Sequence, residues 1–217
     1  MGIMSNLFNR QSGLSYIMSV MSLTQVRREP KIAKRGRFAV PKFCGWSELE
    51  TFYHKSTNPE VQGLFATLFS TGTRVSECLK LHSDMFVVED DTWLTVFRVP
   101  VLKKGSKAKI ADTFRNIPII RNEIMAEYMM NFVQEQDGFL FSKSRQWAWQ
   151  SLVNVDEKWW PHRVRSERAT QLHIEYDYQV PELMKWFHWN TPGEAVEYVR
   201  LGTSDLKKKA EKYIHLP

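Results

Sequence analysis

The chain has 217 residues, 43% of them hydrophobic, enough for one well-cored domain with a short arm and too few for two large ones. Lys and Arg outnumber Asp and Glu by 30 to 24, for a net charge of +6 and a pI near 9.3, so an anionic partner fits without being demanded. Cys44 and Cys78 are too few for a disulfide framework and lack zinc-site spacing, and no apolar run approaches the ~20 residues of a membrane span, so a soluble, cytoplasmic protein is expected.

Residues 1 to about 45 read as an arm. Asn6, Asn9, Arg10 and Gln11 interrupt any signal-like core before Met21, and the segment turns basic from Arg27 to Lys42, with Pro30 and Pro41 breaking any long helix. Ser47 and Glu50 have capping-box spacing and predict a helix start. Asn58-Pro59 predicts another, with Val61, Leu64, Phe65 and Leu68 on one face and Gly72 at its end. From Met85 to Ile120 the pattern changes to β-branched and apolar runs (Phe86 to Val88, Trp93 to Val101, Ile117 to Ile120), separated by Asp90-Asp91 and by Lys103-Lys104-Gly105-Ser106. A small antiparallel sheet follows from that. Helical spacing returns after Asn122 through Ile124, Tyr128 and Phe132; Thr191-Pro192-Gly193-Glu194 is a further start, and Ser204 to Ile214 reads as a last short helix with Leu206, Ala210, Tyr213 and Ile214 towards one side. The class is α+β: mainly helical, with a small antiparallel sheet near the N-terminal third.

Three motifs carry chemistry. In Thr71-Gly72-Thr73-Arg74-Val75-Ser76-Glu77 a glycine ends one helix and an arginine begins the next among free backbone N–H groups, a good place to hold a phosphate. Alone, a helix corner with a solvated arginine explains it equally well. In His162-Arg163-Val164-Arg165, His162 and Arg165 share one helical face, a proton site beside a guanidinium fork. Alone, this reads as a basic surface helix, and Arg163 and Arg168 fit that reading. The third motif is Phe187-His188-Trp189, followed nine residues after Trp189 by Tyr198, in a short helix that Thr191 and Pro192 begin.

The order Arg74, hairpin lysine, His-x-x-Arg, His or Trp, then Tyr resembles the catalytic set of the tyrosine recombinase (phage integrase) family. The resemblance covers roughly residues 46 to 200 and includes the continuation Ala169-Thr170-Gln171-Leu172. It implies the DNA breaking-rejoining fold at 46–200, an arm and basic linker at 1–45, and a helical tail at 201–217. It also implies a site-specific recombinase or integrase that cleaves and rejoins double-stranded DNA through a 3′-phosphotyrosine, without metal or cofactor.

Carried over residue by residue, Tyr198 is the nucleophile; Tyr176, Tyr178 and Tyr213 lack its spacing to Trp189 and read as packing or surface aromatics. Arg74 and Arg165 hold the non-bridging phosphate oxygens. Lys104 gives the leaving 5′-oxygen its proton, with Lys103 and Lys107 as alternatives. His162 accepts the Tyr198 proton or holds a phosphate oxygen. Trp189 stands where most relatives carry histidine, as in the Cre-like branch, with His188 serving instead if the loop is shifted by one; Glu77 buttresses the site from behind. Arg27, Arg28, Lys31, Lys34, Arg35 and Arg37, with Lys103 and Lys107, are the expected DNA-backbone contacts. The tail docks on a neighbouring protomer in relatives, implying self-assembly on DNA and nucleoid association when bound.

Two features depart from the family. Ser166 follows the His-x-x-Arg arginine where a histidine or lysine is common, and about 45 residues before the catalytic region are too few for the usual DNA-clamping domain. Rival readings are a type IB topoisomerase-like or telomere-resolving enzyme with the same chemistry, and a non-catalytic DNA-binding remnant.

Overall fold

The computed structural model describes residues 42–102 and 113–199. In chain order these form α1 (Trp46–Lys55), α2 (Pro59–Thr71), α3 (Val75–Cys78), a 3-10 turn (Ser83–Met85), β1 (Phe86–Val88), β2 (Trp93–Pro100), β3 (Phe114–Ile120), α4 (Ile124–Gln134), α5 (Arg145–Val155), α6 (Pro161–Tyr176), α7 (Val180–Phe187) and α8 (Pro192–Val196). The class is α+β, as expected, mainly helical with one three-stranded antiparallel sheet of order β1-β2-β3. No helix among the described residues is long and apolar enough to cross a membrane.

The central element is α2. Asn58 caps it, its Oδ1 accepting from the Glu60 N–H at 2.9 Å, with Pro59 pre-set for the first turn. Every residue from Gly63 to Thr71 is buried, the mark of a helix packed on all sides. Gly63 lets α4 approach: a Cβ there would lie 2.3 Å from Phe132 Cγ. Phe65, fully buried, packs against Phe52 of α1 (4.2 Å) and Trp159 (5.1 Å), and burying each such side chain contributes roughly 1.5–3 kcal/mol.

The sheet follows its predicted runs. Val88 pairs with Leu94, and the Asp90 carboxylate closes the turn by accepting from the Thr92 and Trp93 N–H groups at 2.7 Å. Between β2 and β3 the register shifts from Val96↔Ile117 to Val99↔Arg115, with Arg98 at φ 53° in the irregular stretch. In β3, Arg115, Ile117 and Ile119 are buried in alternation with exposed neighbours.

One start signal is corrected. Helix α1 begins at Trp46 with Gly45 at its N-cap, so Ser47 lies inside the first turn and is not the cap. Packing overrides the capping pattern here: Phe43, Trp46 and Phe69 form a mutual aromatic cluster at 5.8–6.3 Å, and Gly45 at φ 95° makes the turn into the helix one residue early. Phe43 and Cys44 pack against the core, and the Cys44 N–H donates to Glu167 at 3.0 Å.

Candidate active site

Gly72 ends α2 at φ 61°, its N–H donating back to Leu68 O at 3.0 Å. A Cβ there would meet Phe187 Cε1 at 2.5 Å, so the turn needs glycine for its conformation and for the approach of α7. This turn delivers Arg74 to the start of α3. The fully buried Glu77 accepts from the Arg74 N–H (3.0 Å) and Arg74 Nη1 (3.1 Å), and from Arg115 Nη2 (3.1 Å). Glu77 thus sits behind Arg74 and locks its backbone and side chain together.

Arg165 reaches the same place from α6. Its Nη1 donates to Gly72 O and its Nη2 to Phe187 O at 2.9 Å, while its guanidinium carbon lies over the Phe187 ring at 4.8 Å and the Trp189 ring at 5.6 Å. Burial pulls its pKa down to about 9, with Arg74 and Arg115 adding to the fall and Glu77 and Tyr198 opposing it. Burial likewise lowers Arg115, which Glu77 opposes and Arg74 assists. Three guanidiniums, Arg74, Arg115 and Arg165, therefore gather around one carboxylate, Glu77. That excess of buried positive charge is costly unless an anion joins it.

Beside them is an open cavity of about 360 Å³ lined by Arg74, Val75, Ser76, Arg145, Pro161, His162, Arg165, Trp189 and Glu194. His162, one turn before Arg165, stands exposed at its edge. Partial burial lowers the His162 pKa, reinforced by Arg165 and Arg74 and opposed by Glu197, so the imidazole is neutral at neutral pH and ready to accept a proton.

Trp189 is buried, and its ring lies between two others, stacked on Phe187 at 4.6 Å and on Tyr198 at 5.2 Å with an interplanar angle of 5°. The Tyr198 N–H donates to Ala195 O at 2.9 Å, so this residue lies in the turn just after α8, two residues beyond the end of the short helix expected to carry it. Its Oη is 3.3 Å from Ser166 Oγ. Trp189 lines the cavity; the lining does not include His188, which caps α7 at φ 51°. Tyr178 packs edge-on against Trp186 at 5.8 Å, and Tyr176 is next to Glu123 at the far end of α6.

The structure thus brings Arg74, Glu77, His162, Arg165, Trp189 and Tyr198 together. Lys103, Lys104 and Lys107 belong to the connection between β2 and β3 and lie outside the described residues, as do Arg27, Arg28, Lys31, Lys34, Arg35, Arg37 and the tail 201–217. Among the described residues no group of three or more His, Cys, Asp or Glu could hold a metal.

Sequence reasoning missed two site arginines. Arg115 buttresses Glu77, and its signal was a charge in phase with Ile117 and Ile119 on the buried face of a strand. Arg145 lines the cavity from the first turn of α5, after the Ser144 cap; a cation at a helix N-terminus opposes the macrodipole, which an anion beside it would offset.

Reading Arg163 and Arg168 as part of a basic surface helix is corrected. Arg163 lies over Trp159 at 4.3 Å and pairs with Glu48 at 3.0 Å, while Arg168 is fully buried and pairs with Glu123 at 2.5 Å and Gln171 at 2.7 Å. In α6, Val164, Arg165, Arg168, Ala169 and Leu172 form the buried stripe, so Arg168 takes the place of an apolar residue.

This fold is that of a tyrosine recombinase catalytic domain. The solved structures it resembles include the XerA recombinase (TM-score 0.57, 16% identity, covering 95% of this chain and 74% of that one) and the catalytic domain of bacteriophage HP1 integrase (0.51, 14%, 80% and 95%). The XerH site-specific recombinase, solved bound to its difH substrate, matches at TM-score 0.53 and 17% identity over 79% of this chain, which spans about half (53%) of the XerH chain. No family model and no curated protein matches the sequence.

Proposed function

We propose that this chain is a site-specific DNA recombinase or integrase that cleaves and rejoins double-stranded DNA through a phosphotyrosine at Tyr198. The observation that carries the reading is the arginine-rich cavity with Tyr198 seated against its Trp189 wall, on a fold shared with XerA recombinase and the HP1 integrase catalytic domain. A phosphodiester is the anion whose charge and forked oxygens suit Arg74 and Arg165. The excess of guanidinium over carboxylate is stabilised most when negative charge grows on those oxygens in the transition state.

In this scheme Tyr198 Oη attacks phosphorus, the Oη–P bond forms and the P–O5′ bond breaks. The phenolic proton goes to neutral His162, and Lys104 supplies the proton that O5′ takes up. Trp189 seats the tyrosine ring and turns its indole N–H towards the phosphate, and Arg145 adds a further contact to the DNA backbone. A 5′-hydroxyl from another strand reverses the step. The basic segment from Arg27 to Arg37 lies along DNA, and the tail 201–217 docks on a neighbouring protomer to assemble the complex.

The test is a nicked suicide substrate whose cleaved end diffuses away, with the covalent adduct mapped by mass spectrometry. The expected result is one DNA-linked peptide carrying Tyr198, absent from Tyr198→Phe. An adduct on another tyrosine, or none where DNA is bound, refutes the reading.

A further inference from the structure

Ser166 follows Arg165 on α6, turned by one residue from the buried stripe towards the turn that carries Tyr198. Its Oγ lies 2.9 Å from His162 O and 3.3 Å from Tyr198 Oη. A serine hydroxyl has one proton to give and two lone pairs to receive, and a carbonyl oxygen only receives. In the resting protein, therefore, Ser166 donates to His162 O, and the phenol completes the chain by donating to Ser166 Oγ.

This arrangement can reverse. His162 O lies inside a helix and has its own backbone partner there, so losing the serine's extra hydrogen bond costs little. When Tyr198 loses its proton, the serine hydroxyl is free to rotate and donate to the phenolate, and a bond to a charged oxygen shortens and strengthens.

We propose that Ser166 is a catalytic residue of this site: it orients the Tyr198 hydroxyl before attack and donates a hydrogen bond to the phenolate oxygen during cleavage and rejoining. The inference rests on the recombinase reading above. In cleavage the Oη–P bond forms and P–O5′ breaks, the phenolic proton goes to His162 and the O5′ proton comes from Lys104; Ser166 keeps its own proton throughout. In rejoining, the departing phenolate meets the same donor. The hydroxyl thus serves the nucleophile's side of the reaction and not the leaving group's.

That distinction sets the experiment, made on the full chain. Alanine is a better helix former than serine, so Ser166→Ala folds, and Ser166→Thr keeps the hydroxyl. Cleavage is timed on a suicide substrate with the normal oxygen and on one with sulfur at the bridging 5′ position, whose leaving group needs no proton. Ser166→Ala is expected to slow cleavage about tenfold on both substrates, in line with one hydrogen bond to a charged oxygen, with Ser166→Thr within about threefold of the parent. Lys104→Ala, by contrast, recovers on sulfur.

Ser166→Ala cleaving at the parental rate while the Tyr198 adduct forms normally overturns the Ser166 role alone. So does a Ser166→Ala defect that sulfur repairs, or a threonine variant as slow as alanine. Failure of the parent protein to form a Tyr198 adduct instead removes the recombinase reading, and this role with it.

Discussion

Arg165 makes two demands that a lysine cannot meet together. One N–H of each terminal nitrogen is held by Gly72 O and Phe187 O, which leaves a second on each for a ligand, and its flat face rests on Phe187 and Trp189, so the fork is fixed before any substrate arrives. An ammonium is a point charge without a plane or fork. Arg165→Lys is therefore expected to slow suicide-substrate cleavage at least ~100-fold, the scale of losing one preorganised transition-state donor, while DNA binding weakens far less; parental cleavage by the lysine variant would refute the role. His162 makes the complementary prediction. Burial, Arg165 and Arg74 disfavour its imidazolium, so its resonance in the DNA-free protein should titrate below the ordinary histidine value and move upward on DNA, where a phosphate offsets the arginines. A folded-state pKa below the unfolded one also means that stability is fully present above the ordinary histidine value and declines as the pH falls through it. NMR titration with and without DNA reads the two midpoints and urea unfolding across the same pH range reads the stability; a free-protein midpoint at or above the ordinary value contradicts the geometry.

The elements show why Gly72 is irreplaceable. Its left-handed φ ends α2, its carbonyl receives Arg165, and its missing Cβ admits Phe187, whose own carbonyl receives Arg165 and Arg115. Gly72→Ala should cost about 2–4 kcal/mol in urea unfolding, from the left-handed penalty and the crowding of Phe187. Cleavage should fall further than stability alone explains, because the carbonyls that hold Arg165 move; a variant with parental stability would show that the turn relaxes without strain. The Thr-Gly-x-Arg-x-x-Glu segment was legible beforehand because turn, arginine and buttressing carboxylate are local in sequence. Arg115 was not, since its contact with Glu77 spans the sheet and only the two-residue phase of β3 marks it as buried. Arg168 was misread for the parallel reason: a charged side chain suggests solvent, yet its spacing from Val164 and Leu172 puts it on the core face of α6. In both, periodicity outweighs residue type, because a buried carboxylate, Glu77 or Glu123, pairs with the guanidinium.

Across the molecule, the site draws on residues from Gly72 to Tyr198, carried by α2, α3, β3, α5, α6, α7 and the turn after α8. Their order could be recognised in the sequence, but the stacking of Trp189 on Tyr198 and the contact with Ser166 depend on how α7 and α8 pack against α6, which no local pattern encodes. Charge is distributed differently from catalysis. The cavity gathers Arg74, Arg145 and Arg165, whereas Arg27, Arg28, Lys31, Lys34, Arg35 and Arg37 form a separate basic run in the sequence. If that run follows the DNA backbone, it contributes counterion release in proportion to the phosphates it neutralises, a slope of roughly −0.9 per phosphate in log affinity against log salt. Replacing all six by glutamine should flatten the slope by up to about 5, whereas Arg165→Lys should change it by no more than about 1. Binding measured on duplex DNA across a salt series separates the two, and a six-fold variant with the parental slope would remove the basic run from the interface and leave the cavity to hold DNA by itself.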